Sequence, residues 1–318
     1  MLRLSVVEGD SLACSGAAEL EQLRIRVRND PATEAVLPHL TRALKRLSGG
    51  FTAEIALCEQ PLDSLEELGR AELVLLPSQE LTVLDPAPYL RCVLPRCLTQ
   101  DLLLYSEQAG RTLTGLLREQ PQRFEPRELF VALASGAQLA VCSESAAALV
   151  RQLRPDLEVV VVRCSDALLA GLGEGRFQAV IVSSYVAGSE ASVGRVSRAL
   201  KEPWIGAPGD GAALLVACPD NEFAAPILAA LEHRSSRLEL DAEMLLGEFF
   251  SQRHGGHLRA RARCEGHRLQ LSAGLFDELG DWGVRSDMVG EATREGCSRL
   301  ARRSARELSS RRALLLAS

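Results

Sequence analysis

At 318 residues, 47% hydrophobic and 25% charged, the chain is long enough for two or three globular domains with separate cores. A net charge of −6 excludes a general nucleic-acid binder, and no apolar run reaches the roughly 18–20 residues that a membrane-spanning helix requires. Acidic residues interrupt the start, MLRLSVVEGDSLAC, where an export signal would carry its apolar stretch, and the nine cysteines stand singly; both features point to reduced thiols and a cytoplasmic location.

Helical patterns are expected over 17–28, 33–47 and 62–70, followed by an apolar strand over 72–76 and another over 101–105. The polar, weakly periodic stretch 107–127 is expected to cross between domains. Strands over 138–142, 157–163 and 178–183 then alternate with helices over 146–153 and 167–172. Arg154-Pro155-Asp156 stops the first of these helices, because proline disfavours helical backbone in the residue before it. Gly173-Glu174-Gly175 stops the second. A further crossing is expected over 189–204, before a strand over 212–218. Alternating strands and helices of this kind specify an α/β class with mixed, mostly parallel sheets.

After Asp220 the pattern changes to α+β: helices over 222–233 and 237–250, then alternating strands over 258–263 and 268–275. The turn between these strands is Cys264-Glu265-Gly266-His267, with glycine in the left-handed position. A basic helix over 291–309 closes the chain. Positive charge is almost all arginine, Lys45 and Lys201 being the only lysines. It concentrates late, at Arg259, Arg261, Arg263 and Arg268 and then from Arg299 to Arg312, where a helix would present it as a solvated face.

Three segments stand out: GAQLAVCSESAAALVRQLRPDLEV at 136–159, APGDGAALLVAC at 207–218, and the run from Asp241-Ala242-Glu243 through HLRARARCEGHRLQLSAGLF. Together they resemble the hydroxymethylbilane synthase (porphobilinogen deaminase) family. Their order and spacing fit the family over roughly 70–310, and the first 70 residues fit mainly through Gly9-Asp10-Ser11-Leu12-Ala13. The resemblance implies two periplasmic-binding-protein-like domains and a small α+β third domain. The expected boundaries are 1–106 with 203–220, then 107–202, then 221–318. It also implies a monomer that takes a small molecule in an interdomain cleft, with no nucleic-acid or membrane partner.

The family enzyme condenses four porphobilinogens, releasing ammonia at each step, on a dipyrromethane cofactor held by a cysteine thioether. Arginines and a lysine neutralise the carboxylates of the growing chain, and an aspartate handles protons. Here the cysteine position falls on His254 without gaps, or on His257 after a three-residue insertion. Imidazole cannot form the same thioether, so the dipyrromethane cofactor is not expected. The aspartate position falls on Glu80 in PSQELT, with Gln79 in place of the lysine. Glu80 is the candidate catalytic acid, or else a loop carboxylate in solvent. The paired arginines of the second domain fall on Ser145 and Ala146, and a first-domain arginine falls on Glu8. Arg163 and Ser143 are left as the substrate-binding candidates. Each arginine–carboxylate contact contributes about 1.5–3 kcal/mol, so the family reaction is expected to be impaired or absent. The alternative is an inactive paralogue that binds a small molecule or a protein.

His254, His257, Cys264 and His267 have zinc-like spacing. A six-residue strand over 258–263 would span about 20 Å at ~3.3 Å per residue and hold the two pairs apart, so no metal is expected. No nucleophile elbow, phosphate loop or dinucleotide fingerprint is present.

Overall fold

The structure, a computed structural model, describes residues 4–8, 22–28, 31–47, 52–58, 72–78, 90–96, 101–119, 130, 132–183, 197–221, 224–251 and 256–317. It divides into two compact units, Met1–Leu98 with Gly209–Arg237, and Thr99–Pro208 with Leu238–Ser318.

The first unit is built on a six-stranded mixed sheet. Its strands are β1 (Leu4–Glu8), β2 (Gln22–Arg28), β3 (Thr52–Cys58), β4 (Glu72–Pro77), β5 (Leu90–Val93) and β11 (Ala213–Ala217), in the order β1-β3-β2-β4-β11-β5. The strands β1 to β4 run parallel, and β11 returns antiparallel between β4 and β5. Helices α1 (Pro31–Arg46) and α5 (Ala224–Leu231) bury Leu40, Leu44, Ile227 and Leu228 with Leu23, Ile25, Val27 and Leu215.

The helix expected over 17–28 is corrected in its described part. Gln22–Arg28 is a strand, with Leu23, Ile25 and Val27 fully buried at every second position between Arg24 and Arg26. Period-two burial against α1 overrides the helical reading. The helix expected over 62–70 lies outside the described residues.

In the second unit a five-stranded sheet is ordered β10-β6-β9-β7-β8. These strands are β6 (Asp101–Tyr105), β7 (Gln138–Val141), β8 (Glu158–Val161), β9 (Ala179–Ser183) and β10 (Ser197–Ala199). The three strands β7, β8 and β9 are parallel, and β6 is antiparallel to both β9 and β10. Helix α3 (Glu144–Leu153) covers one face with Leu103, Leu139, Val141 and Ile181. Helix α4 (Ser165–Gly173) covers the other with Leu104, Ala140, Val180 and Val182. Alternate strand residues supply the two cores, so the strands read as unbroken apolar runs. The stop after α3 is firm: the Arg154 guanidinium meets the Asp156 carboxylate at 2.7 Å through both Nε and Nη2 and holds Asp156 down to about 2.

The two expected crossings contain regular structure. Glu107–Glu119 is helix α2, and Ser197–Ala199 is the edge strand β10. The unit boundary also differs from the expected 106/107, because β6 is held in the second sheet by its ladder to β9. Residues 203–208 stay in the second unit, and the return to the first unit starts at Gly209.

The rest of the second unit is α+β. Helix α6 (Arg234–Ser251) leads into β12 (His257–Glu265), β13 (Arg268–Phe276), β14 (Gly283–Glu291) and helix α7 (Arg294–Ala317). The sheet order is β12-β13-β14, antiparallel throughout. Sequence pattern alone missed β14, because GVRSDMVGE carries few β-branched residues. One sheet face (Ala260, Ala262, Leu269, Leu271, Ala273, Leu275, Val284) packs on Leu246, Leu300 and Leu308 of the helices. This segment has a core of its own, yet residues 238–318 cluster with the second sheet instead of standing apart. Gly266 turns the β12–β13 hairpin at φ 60°, as its place in the sequence predicts. No helix among the described residues is long and apolar enough to cross a membrane.

Candidate functional site

The order β9-β7-β8 puts a topological switch point in the second unit. The chain leaves β7 toward β8 on one side, then crosses back to β9 on the other. Ligands of open α/β sheets bind beyond the carboxyl ends of the strands at such a point, where the following loops diverge. Ser143 lies two residues past β7, and Arg163 two residues past β8. The pairing Val141↔Val161 continues through the Val162 amide, which donates to the Val141 carbonyl at 2.9 Å. Both candidate substrate residues therefore emerge from the same edge of the sheet.

Their surroundings differ. Ser143 is the N-cap of α3, and its Oγ accepts from the Ala146 amide at 3.3 Å and lies 3.2 Å from Ser145 Oγ. Arg163 is exposed, and it forms no ion pair with a described residue. Ala146 is 3% exposed and packs in the core under the helix. Ser145 faces the third sheet, where its Oγ accepts from Arg259 Nη1 at 3.4 Å.

That contact belongs to a cluster which sequence reasoning missed. Arg259 on β12 is 2% exposed. Its Nη2 meets Asp101 Oδ2 at 3.1 Å, its Nε donates to the Ile205 carbonyl, and its guanidinium stacks 4.7 Å from the Trp204 ring centroid. Trp204 Nε1 donates to the same Asp101 oxygen at 2.6 Å. The sequence reads Arg259 only as part of a late basic concentration. The signal that could separate it is phase: Arg259 alternates with Ala260 and Ala262, so it must point away from the α6/α7 core. Arg299, Arg302, Arg303, Arg306 and Arg311 are exposed on α7, as expected.

Of the remaining positions, Glu80, Gln79 and His254 lie outside the described residues, and Glu8 closes β1. Just before Glu80, buried Ser78 donates its Oγ to the Gly209 carbonyl at 2.5 Å. Gly209 and Gly211 both adopt positive φ, and the Asp210 carbonyl between them accepts from Arg96 Nε at 2.8 Å. Asp210 thus occupies a backbone-determined turn.

His257 is the first residue of β12, paired with Phe276. Cys264 lies seven residues further along the same strand, about 23 Å away at ~3.3 Å per residue. One tetrahedral metal site cannot span that distance, and no group of three metal-ligating side chains occurs among the described residues. The same separation keeps the Cys264 thiol away from His257, so Cys264 does not fit as a substitute attachment for a dipyrromethane at that position.

No family model matches the chain. Individual relatives do. Porphobilinogen deaminase from Roseiflexus sp. (strain RS-1) is 26% identical over 254 residues, covering 76% of this chain and 77% of the relative. That of Roseiflexus castenholzii is 27% identical, covering 82% and 84%. That of Acidothermus cellulolyticus is 32% identical over 209 residues, covering 59% and 60%. Among solved structures, the substrate-binding domain of a molybdenum ABC transporter from Clostridium difficile aligns with TM-score 0.42 at 12% identity, over 68% of this chain and 93% of its own. The periplasmic aliphatic sulphonate binding protein of Escherichia coli gives 0.38 at 18%, over 67% and 72%.

The fold defines an α/β protein with two mixed sheets and a three-stranded α+β layer. With 26–32% identity to several porphobilinogen deaminases over 59–82% of its length, the chain is similar to that family as a divergent relative.

Proposed function

We propose that this tetrapyrrole-pathway family member has lost or largely lost stepwise porphobilinogen condensation and serves as a small-molecule-binding protein. The observation that carries the reading is at the start of α3. Where the resemblance places two substrate arginines, Ala146 is buried in the core and Ser145 is turned onto Arg259. Neither position can present a guanidinium to a carboxylate, and the Arg259 charge beside them is already matched by Asp101. Replacement of the cofactor-linking cysteine by His254 or His257 supports the same conclusion.

Ligand binding through Ser143 and Arg163 is retained in this reading, with Glu80 as the one acid left at a family catalytic position. The protein acts in the cytoplasm as a monomer, without nucleic acid. The test is porphobilinogen consumption by the purified chain. No consumption above the enzyme-free blank is expected, while a carboxylated pyrrole still binds and Arg163→Ala weakens that binding about tenfold. Turnover abolished by Glu80→Gln would overturn the reading in favour of a working enzyme.

A further inference from the structure

A short chain of hydrogen bonds ties the Ser143 hydroxyl to the C-terminal sheet. Arg259 Nη1 on β12 lies 3.4 Å from Ser145 Oγ, and Ser145 Oγ lies 3.2 Å from Ser143 Oγ. The Ala146 amide donates to that same Ser143 oxygen at 3.3 Å. A hydroxyl has one proton and two lone pairs, whereas a guanidinium and a backbone amide can only donate. That asymmetry gives the chain a direction. Ser145 Oγ accepts from Arg259, and its own proton has one acceptor among the described residues, Ser143 Oγ. Ser143 Oγ then accepts twice, from Ser145 and from Ala146, and both its lone pairs are used. Its proton is left to point outward.

Arg259 fixes this direction because it cannot turn away. The side chain is 2% exposed, with Nε committed to the Ile205 carbonyl and Nη2 to Asp101. Three contacts fan out from one planar group, which the single nitrogen of a lysine cannot reproduce. Asp101 matches the charge, so Arg259 acts on the crevice by orienting hydroxyls and not by attraction at a distance. Ser143 and Ser145 are half-buried, at the sheet edge where Arg163 also emerges.

We propose, resting on Ser143 and Arg163 as the ligand contacts, that Arg259 acts through Ser145 to hold the Ser143 hydroxyl as a donor toward the crevice. This position then selects a ligand group that accepts a hydrogen bond over one that donates. Arg259 and Ser145 are positioning residues, and neither touches the ligand.

The test is calorimetric titration of the full chain with pyrrole-2-carboxylate, whose carboxylate only accepts, and with pyrrole-2-carboxamidine, whose amidinium only donates. Ser145→Ala is expected to weaken carboxylate binding about three- to fivefold and to narrow the preference over the amidine, with the melting temperature held. A purely structural change would move both probes alike. Ser145→Thr keeps the hydroxyl and restores both values. In a Ser143→Ala background, Ser145→Ala has no further effect. Arg259→Lys keeps a charge against Asp101 and behaves like Ser145→Ala; if it does not fold, the Ser145 variants decide. Carboxylate binding that depends on Arg163 and Ser143 but is equal in wild type and Ser145→Ala would overturn the positioning role alone. No binding by wild type, or binding indifferent to Arg163→Ala and Ser143→Ala, would overturn the crevice as a ligand site and the positioning role with it.

Discussion

Arg259 is a buried charge at the centre of a polar cluster in the second unit. A guanidinium 2% exposed is tolerable only because Asp101, the Ile205 carbonyl and the Trp204 ring surround it. Removing one partner of such a pair strands the other charge, at a cost of about 3–5 kcal/mol. Arg259→Leu and Asp101→Leu are each expected to destabilise by that amount in urea unfolding, and the double variant by clearly less than their sum. Additivity would mean that the pair contributes little. The thiols make a second residue-scale prediction. Burial, helped by Glu232, pushes Cys92 from 9.0 up to about 12, and burial with nearby Asp241 pushes Cys297 up to about 11. Cys142 and Cys164 are exposed at strand ends. Iodoacetamide should therefore label Cys142 and Cys164 in the native protein and spare Cys92 and Cys297 until it unfolds. Above pH 9.0 the unfolded Cys92 thiol gives up its proton while the folded one keeps it. Unfolding then releases protons, and stability falls with rising pH by up to about 1.4 kcal/mol per unit. Cys92→Ala should make that alkaline fall shallower.

At the scale of elements, Ser143 has two roles that one substitution separates. As the N-cap of α3 its loss costs about 1 kcal/mol, so Ser143→Ala should lower stability by that much. Ser143→Asp retains a capping acceptor and should restore stability while repelling an anionic ligand. Equal stability of wild type and Ser143→Ala would contradict the cap. The elements best specified by sequence were those with apolar runs bounded by turn residues: β7, α3 and β8 follow one another between Gly136 and Arg163 with firm stops. β2 was misread because Ala17–Arg28 carries leucines at helical spacing, and only the sheet reveals that Leu23, Ile25 and Val27 share one buried face. The same limit hid Arg259. Local pattern gives the face on which a side chain lies, but only the tertiary partner, here Asp101 on a strand 158 residues away, determines whether that face is wet or buried. Arg163 and Ser143 are candidates through the family resemblance, and the structure puts each of them two residues past the end of a neighbouring parallel strand.

For the whole molecule, two mixed α/β sheets and an α+β layer are present, while Ser145 and Ala146 stand where the resemblance assigns two arginines and His254 or His257 where it assigns a cysteine. Stability and site chemistry are written in different residues. Core positions such as Leu139, Val141 and Ile181 must stay apolar for the sheet to exist, whereas strand-end loops can change sign with little effect on folding. The measurement that tests this most directly is the intact mass of the purified protein, with Ehrlich's reagent and porphobilinogen turnover on the same preparation. The account predicts the mass of the bare polypeptide, no colour and no turnover. A covalent dipyrrole adduct, or formation of uroporphyrin from porphobilinogen, would contradict it.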